Sequence, residues 1–233
     1  MASNYKMTYN VDLVFCIDAT GSMTPLIDMV KQNALKFHPD LTAAMAAKDK
    51  KINELRIRII AFRDYIADGN NAMLITNFFS LPADSALLTQ GVNSIQAFGG
   101  GDDPEDGLEA LGFAIQSPWN NDSTAKRRQV IVVWTDDGTH DLGYGKSAAN
   151  YPSKMAKDFA ELTEWWGDST LQIKGYVDNS SKRLLLYAPD KPAWNIISSN
   201  WENVLHYPSI AGQGLKGCTY NEIIDAIAQT ISL

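Results

Sequence analysis

Six short runs of apolar residues predict the strands of a β-sheet. Two of them, residues 11–17 (VDLVFCI) and 130–134 (VIVVW, within 126–135), are almost unbroken. Such runs are short for helices but typical of strands that are buried on both faces. The remaining predicted strands cover 56–62, 73–79, 183–188 and 203–207. Because only a short turn links the strand at 56–62 to the one at 73–79, we expect 73–79 to run antiparallel.

Between these runs, apolar residues recur at helical spacing and predict helices. The first runs from residue 23 to about 48, and Pro39 should end or kink it. The other predicted helices cover 83–95, 104–115, 153–166, 192–199 and 220–231. The alternation of strands and helices predicts an α/β fold, with a doubly wound, mostly parallel six-stranded sheet and helices on both of its faces.

The length of 233 residues fits one domain of this kind. We expect it to span 1–233, with an N-terminal extension over 1–10. Residues 168–182 follow neither period, and we interpret 171–177 within them as either a strand-like insertion or an extended linker.

Composition and charge narrow the classes of function. The chain is 45% hydrophobic and 20% charged, as is ordinary for a globular protein. Its formal net charge of -7 argues against generic binding to nucleic acid or to anionic membranes. The N-terminus lacks a signal-peptide pattern, no run approaches the ~20 apolar residues of a membrane span, and Cys16 and Cys218 indicate no disulfide framework. We therefore expect a cytoplasmic protein.

The first candidate site follows the strand at 11–17. Asp18, Thr20 and Ser22 alternate along a turn at the carboxyl end of that strand, where open α/β sheets bind ligands. Carboxylate and hydroxyl oxygens suit Mg²⁺, Mn²⁺ or Ca²⁺ better than zinc. The alternative is that Asp18 and Ser22 cap the next helix, since Asp and Ser are among the preferred N-cap residues.

Further acidic residues are expected at the same edge of the sheet. Asp136 follows the strand at 130–134, and Asp102 and Asp103 lie in a glycine-rich loop that opens the next helix. In a doubly wound sheet these positions converge. Two carboxylates about 5 Å apart repel by roughly 3 kcal/mol at an effective dielectric of 20, so such a cluster needs a cation or a raised pKa. A divalent metal ion meets that need.

Three motifs together resemble the von Willebrand factor A (VWA) family. They are D-A-T-G-S-M, G-G-G-D-D-P-E and the strand that ends in T-D-D-G. The resemblance is to the intracellular type of VWA domain, as in alpha-kinase-linked and tellurite-resistance-like proteins, and covers residues 11–142 best. It implies a strand order of 3-2-1-4-5-6 in the predicted sheet. It also implies a metal-ion-dependent adhesion site, in which an acidic residue of a partner protein completes the coordination of the metal.

The resemblance also implies roles for individual residues. Thr20 and Ser22 would bind Mg²⁺ directly, and Asp18 would act largely through water. Asp136 matches the aspartate after the fourth strand. Asp102 stands where many extracellular members of the family carry threonine, so it adds a negative charge. Asp103 is the alternative ligand from this loop.

Two other polar loops contain candidate functional motifs. His140 and Asp141, in the loop at 138–153, suggest a second metal site, but the spacing of metal ligands is absent and an ordinary surface loop is favoured. Residues 212–217 (GQGLKG) lack the spacing of a dinucleotide-binding motif, and we interpret them as a loop.

The sequence leaves two main functions to compare. The favoured one is a Mg²⁺-dependent module or adaptor that docks a partner protein and is not itself an enzyme. The alternative is a metal-dependent hydrolase of phosphate esters, in which the ion activates water. No Cys-His or Ser-His constellation and no basic residue near the acidic loops supports the hydrolase. A structural domain with a vacant site is a third interpretation.

Overall fold

The computed structural model describes residues 7–99 and 104–233. Within these ranges, seven strands form one sheet. They are β1 (Met7–Asp18), β2 (Lys50–Phe62), β3 (Met73–Ile75), β4 (Phe79–Leu81), β5 (Lys126–Trp134), β6 (Lys182–Ala188) and β7 (Val204–Pro208). Every apolar run that predicted a strand therefore contributes to the sheet, although β1 and β2 begin earlier than predicted.

The order of the strands is β3-β2-β1-β5-β6-β7, and β4 also pairs with β2. Pairing is parallel from β2 through β1, β5 and β6 to β7. Only β3 and β4 run antiparallel among the described strands, both against β2. The predicted mostly parallel sheet, its strand order and its antiparallel edge are confirmed, and β1 lies at the centre.

The central strand is buried on both faces because its alternating side chains enter two separate cores. Leu13, Phe15 and Ile17 pack into the core on one face, whereas Val14 and Cys16 pack into the core on the other. An almost unbroken apolar run is the sequence pattern that such a strand requires.

Seven α-helices in the described ranges cover the two faces. They are α1 (Thr24–Asn33), α2 (Phe37–Ala46), α3 (Ser85–Asn93), α4 (Gly107–Ile115), α5 (Phe159–Trp166), α6 (Trp194–Asn200) and α7 (Tyr220–Ser232). Helices α1, α2, α3 and α7 contribute to one core, and α4, α5 and α6 to the other. No helix of the described ranges has both the length and the apolar character needed to traverse a bilayer.

The largest differences from the predicted helices lie at three boundaries. The first long helix breaks at residues 34–36, before Pro39, which lies in the first turn of α2, where a missing N–H costs little. Helix α4 starts at Gly107 because Glu105 forms a parallel bridge with Thr139 and is held outside the helix. Helix α5 starts late because the side chain of Asp158 accepts a hydrogen bond from the Glu161 N–H and caps it.

The third predicted strand is divided into β3 and β4 by Thr76. The Thr76 N–H donates to the Ile59 carbonyl, and the Thr76 hydroxyl accepts from the Ile59 N–H, each at 3.0 Å. A side chain therefore replaces one backbone partner of β2. The regular ladder stops at Ile75 and resumes at Phe79.

Residues 168–182 form a compact turn without a strand at 171–177. Asp168 and Ile173 make an isolated antiparallel bridge. The turn is anchored by Lys182, a fully buried lysine whose Nζ donates to the carbonyl oxygens of Trp166 and Gly167 at 2.8 Å each. Glu202 lies 2.9 Å from the same Nζ and provides the opposite charge.

Candidate metal centre

Asp18 ends β1 and lies at the centre of the carboxyl edge of the sheet. Its Oδ1 accepts hydrogen bonds from the N–H of Thr20 at 2.9 Å and from the Thr20 hydroxyl at 2.7 Å. Its Oδ2 accepts a hydrogen bond of 2.8 Å from the hydroxyl of Thr135. Three donors thus fix the orientation of this buried carboxylate.

Neither Asp18 nor Ser22 caps the following helix. The single 3₁₀ turn Gly21–Met23 and α1 both begin without a hydrogen bond from a capping side chain. The Ser22 hydroxyl instead donates to Asp136 Oδ1 at 2.9 Å, across the edge of the sheet. The helix-capping interpretation of this motif is therefore wrong.

Asp136 reaches the same place from the end of β5. Its Oδ2 accepts a hydrogen bond of 2.7 Å from the N–H of Gly214, and its backbone carbonyl accepts one of 2.8 Å from Gly212. The loop at 212–217, which the sequence indicated only as a loop, therefore closes one side of the candidate site.

The side-chain oxygens of these residues form a continuous series. Thr20 Oγ1 lies 2.7 Å from Asp18 Oδ1 and 3.2 Å from Ser22 Oγ, which is 2.9 Å from Asp136 Oδ1. Adjacent oxygens around an octahedral Mg²⁺, each about 2.1 Å from the ion, are roughly 3 Å apart. The donor set and its spacing therefore fit such an ion. The fifth predicted residue, Asp102, and its alternative Asp103 lie outside the described residues.

Electrostatics add a reason for a cation at this place. Burial raises the pKa of Asp18 to about 6, against the lowering effect of its hydrogen bonds from Thr20 and Thr135. The negative charge of Asp136 contributes to this raised pKa. Burial therefore makes the ionised form of Asp18 less favourable than it is in water, and a divalent ion would stabilise the ionised carboxylate.

Two basic residues lie nearer to this edge than the sequence predicted. Arg63 is buried just beyond β2 and donates to the carbonyl oxygens of Ala19 at 2.9 Å and Phe98 at 3.0 Å. Lys191 forms an ion pair with Asp137. Both cations are already engaged, Arg63 by backbone oxygens and Lys191 by a carboxylate.

A second polar cluster lies beside the first. It consists of Asp64, Asp106 and His140, each of which offers a ligand atom within 4.8 Å of the others. His140 thus meets Asp64, just beyond β2, and Asp106, just before α4, whereas Asp141, its predicted companion, is not part of the cluster. The loop at 138–153 is held here by Glu109, whose Oε1 accepts from the Gly143 N–H and the Tyr151 hydroxyl at 2.8 Å each.

The fold and its polar carboxyl edge define a doubly wound α/β protein with oxygen donors where such sheets bind ligands. No protein-family model matches the chain. A curated relative, the alpha-protein kinase vwkA of Dictyostelium discoideum, is 28% identical over 142 residues, which cover 61% of this chain and 21% of vwkA. The chain thus spans about a fifth of the length of that relative, and the homology is weak.

Solved structures show a similar fold. The pilus adhesin SpaC from Lactobacillus rhamnosus GG matches with a TM-score of 0.53 at 12% identity, over 96% of this chain and 30% of the SpaC chain. The open conformation of SpaC matches with a TM-score of 0.51 and the same identity and coverage. At this identity the likeness concerns the fold alone.

Proposed function

We propose that this chain is a VWA-type module that binds a partner protein through a Mg²⁺ ion at a metal-ion-dependent adhesion site. The observation that carries the proposal is the unbroken series of hard oxygen donors from Asp18 through Thr20 and Ser22 to Asp136. Weak homology to vwkA and the doubly wound fold are consistent with it.

The hydroxyls of Thr20 and Ser22 would bind the ion directly, and Asp18 and Asp136 would neutralise its charge. By the resemblance of its motif, Asp102 would complete the negative set. When bound, Mg²⁺ would supply a positive centre that accepts one more oxygen ligand. A carboxylate of the partner protein is the ligand that such a centre favours.

The surroundings suit docking better than catalysis. Asp18 and Asp136, at the two ends of the series of oxygens, are buried, but Ser22 is exposed, so the series opens to the surface at Ser22. Ile210 and Phe98 are 75% and 38% exposed, and both belong to loops whose backbones bond to the strand ends that carry the site. Rigid strand ends with exposed apolar loop residues around them form a recognition surface.

The hydrolase has less support. A free cationic side chain beside the metal would help to bind a phosphate ester, but Arg63 and Lys191 at this edge are both engaged. Arg63 donates to four backbone carbonyls, those of Ala19, Asn71, Gln96 and Phe98, and Lys191 is paired with Asp137. Kinase activity belongs to vwkA as a whole protein, of which this chain matches a fifth.

Two measurements test the proposal. Calorimetric titration should show Mg²⁺ binding that Ser22→Ala weakens. The matched control is Ser85→Ala at the start of α3, whose hydroxyl donates to the Pro82 carbonyl away from the site. This control should leave Mg²⁺ binding unchanged. A partner isolated by pull-down should then lose affinity in chelator and in Asp18→Ala. Unchanged affinity under all these conditions would reject metal-mediated docking, and phosphatase turnover lost in the same variants would favour the hydrolase.

A further inference from the structure

We propose that Asp64, Asp106 and His140 form a second cation site, distinct from the oxygen-only site at Asp18, and that it takes a divalent ion that accepts imidazole, Zn²⁺ above all. This site is independent of the proposed docking function. Its role would be to fasten the loop at 138–153 to β2 and α4.

Three separate elements bring the ligands together. Asp64 follows the end of β2, Asp106 is the residue before α4, and His140 lies in the loop after β5. The backbone joins the same elements, since the His140 N–H donates to the Glu105 carbonyl at 3.0 Å and the Asp106 N–H to the Arg63 carbonyl at 3.2 Å. The site is therefore built on a fixed frame.

The contact between His140 and Asp64 is the decisive observation. His140 Nε2 lies 2.9 Å from Asp64 Oδ2, but the direction of approach does not make a hydrogen bond. Within residues 7–99 and 104–233, neither atom has a hydrogen-bond partner, although the side chains are only 10% and 1% exposed. Two ligand atoms on one ion, each about 2.1 Å from it, have a separation of roughly 3 Å without a hydrogen bond between them.

The carboxylates are oriented by backbone donors. Asp106 Oδ2 accepts from the Tyr65 N–H at 2.6 Å, and Asp64 Oδ1 accepts from the Ala67 N–H. The ring of Tyr144 stacks on that of His140, with a centroid distance of 3.8 Å. Because the widest pair of ligand atoms is separated by up to 4.8 Å, closing around one ion requires a movement of about 1 Å.

Charge supports a cation as well. Asp64, Glu105, Asp106 and Glu109 are at most 2% exposed, and His140 forms an ion pair with Asp64. Buried carboxylates are costly unless cations or hydrogen bonds offset their charge. A nitrogen donor together with two carboxylates favours zinc over Mg²⁺, which prefers oxygen alone.

Calorimetry with Zn²⁺ tests this site. The protein is stripped with chelator, dialysed, and titrated with Zn²⁺ in the presence of excess Mg²⁺. Wild type, Ser22→Ala and the control His38→Gln, which removes an imidazole elsewhere, should each bind one Zn²⁺. His140→Gln and Asp64→Asn should bind it at least about 100-fold more weakly, beyond the roughly 10–100-fold cost of losing only an outer partner.

Cobalt gives an independent readout. Co²⁺ in the wild-type site should produce visible absorption bands that are lost in His140→Gln. Absence of Zn²⁺ binding in the wild type would identify a simple His–Asp ion pair and reject the site, as would equal Zn²⁺ binding in His140→Gln. If circular dichroism shows that His140→Gln does not fold, the test rests on two other results: the number of Zn²⁺ ions that the wild type binds, and the loss of Zn²⁺ affinity in Asp64→Asn. Loss of Mg²⁺ binding in Ser22→Ala with Zn²⁺ binding retained separates this site from the docking site.

Discussion

Gly214 donates its backbone N–H to Asp136 Oδ2 at 2.7 Å, and so connects a loop near the end of the chain to the end of β5. Gly214 has a φ of +58°, and a Cβ atom there would collide with the carbonyl oxygen of Ser22. Glycine is therefore required at this position for two reasons, its backbone conformation and the close approach of a residue that carries a candidate ligand.

Gly214→Ala should destabilise the protein and disturb the candidate metal centre. A left-handed conformation costs alanine about 1–2 kcal/mol, and the collision with backbone adds to that cost. Gly212→Ala is the matched control, because Gly212 has a φ of +69° but open space around its Cα. Urea unfolding should show the larger loss for Gly214→Ala, and equal losses would contradict the role of the close contact.

The metal-free protein should lose stability as the pH rises from about 4 to 6. The pKa of Asp18 is raised from its ordinary 3.8 to about 6, so the unfolded chain releases this proton first and the folded state retains it. The contribution is absent below pH 4 and reaches an unfavourable value of about 3 kcal/mol at most above pH 6. Asp18→Asn should remove this pH dependence and stabilise the metal-free protein at pH 7, as unfolding curves at several pH values would show. Saturating Mg²⁺ should reverse the ranking; a wild type that remained less stable with Mg²⁺ would argue against ligation by Asp18.

Mg²⁺ affinity should fall when the solution is acidified below the pKa of Asp18. Protons and metal compete for the same carboxylate, so the dissociation constant should rise about tenfold for each pH unit below 6. Calorimetry at pH 5 and pH 7 measures the change. An affinity independent of pH over this range would mean that Asp18 does not contact the ion or its bound water.

Lys182→Ala should be among the more destabilising single substitutions outside the hydrophobic cores. It would leave the carbonyl oxygens of Trp166 and Gly167 without their donor and Glu202 without its buried partner, at a cost of about 3 kcal/mol. Lys174→Ala is the control, because Lys174 is an exposed lysine in the same turn. Thermal unfolding should separate the two variants clearly; similar midpoints would show that the turn does not depend on Lys182.

The sheet could be predicted because its strands carry their own signal. Residues 13–17 are apolar on both faces, and that pattern predicts that β1 lies inside a parallel sheet. The division of the antiparallel edge could not be predicted, since it depends on the hydroxyl of Thr76 replacing a backbone partner of Ile59. The local sequence pattern does not show where a side chain will replace a backbone hydrogen-bond partner.

The sequence predicted those residues of the candidate site that directly follow the predicted strands. Asp18, Thr20, Ser22 and Asp136 all do, and the structure brings them together. Thr135 was missed, although it stands directly before Asp136. Gly214 and the pairing of His140 with Asp64 could not be found, because they join residues far apart in the chain through loops of no regular period.

The central position of β1 also has a consequence for how the protein is made. During synthesis β1 emerges before its neighbours β2 and β5, which follow only after long intervening segments. Until β5 is complete, the nascent chain presents a hydrophobic strand with an unpaired edge, and such edges promote aggregation. Newly translated chains should therefore depend on a chaperone that shields residues 11–17 until translation has passed β5.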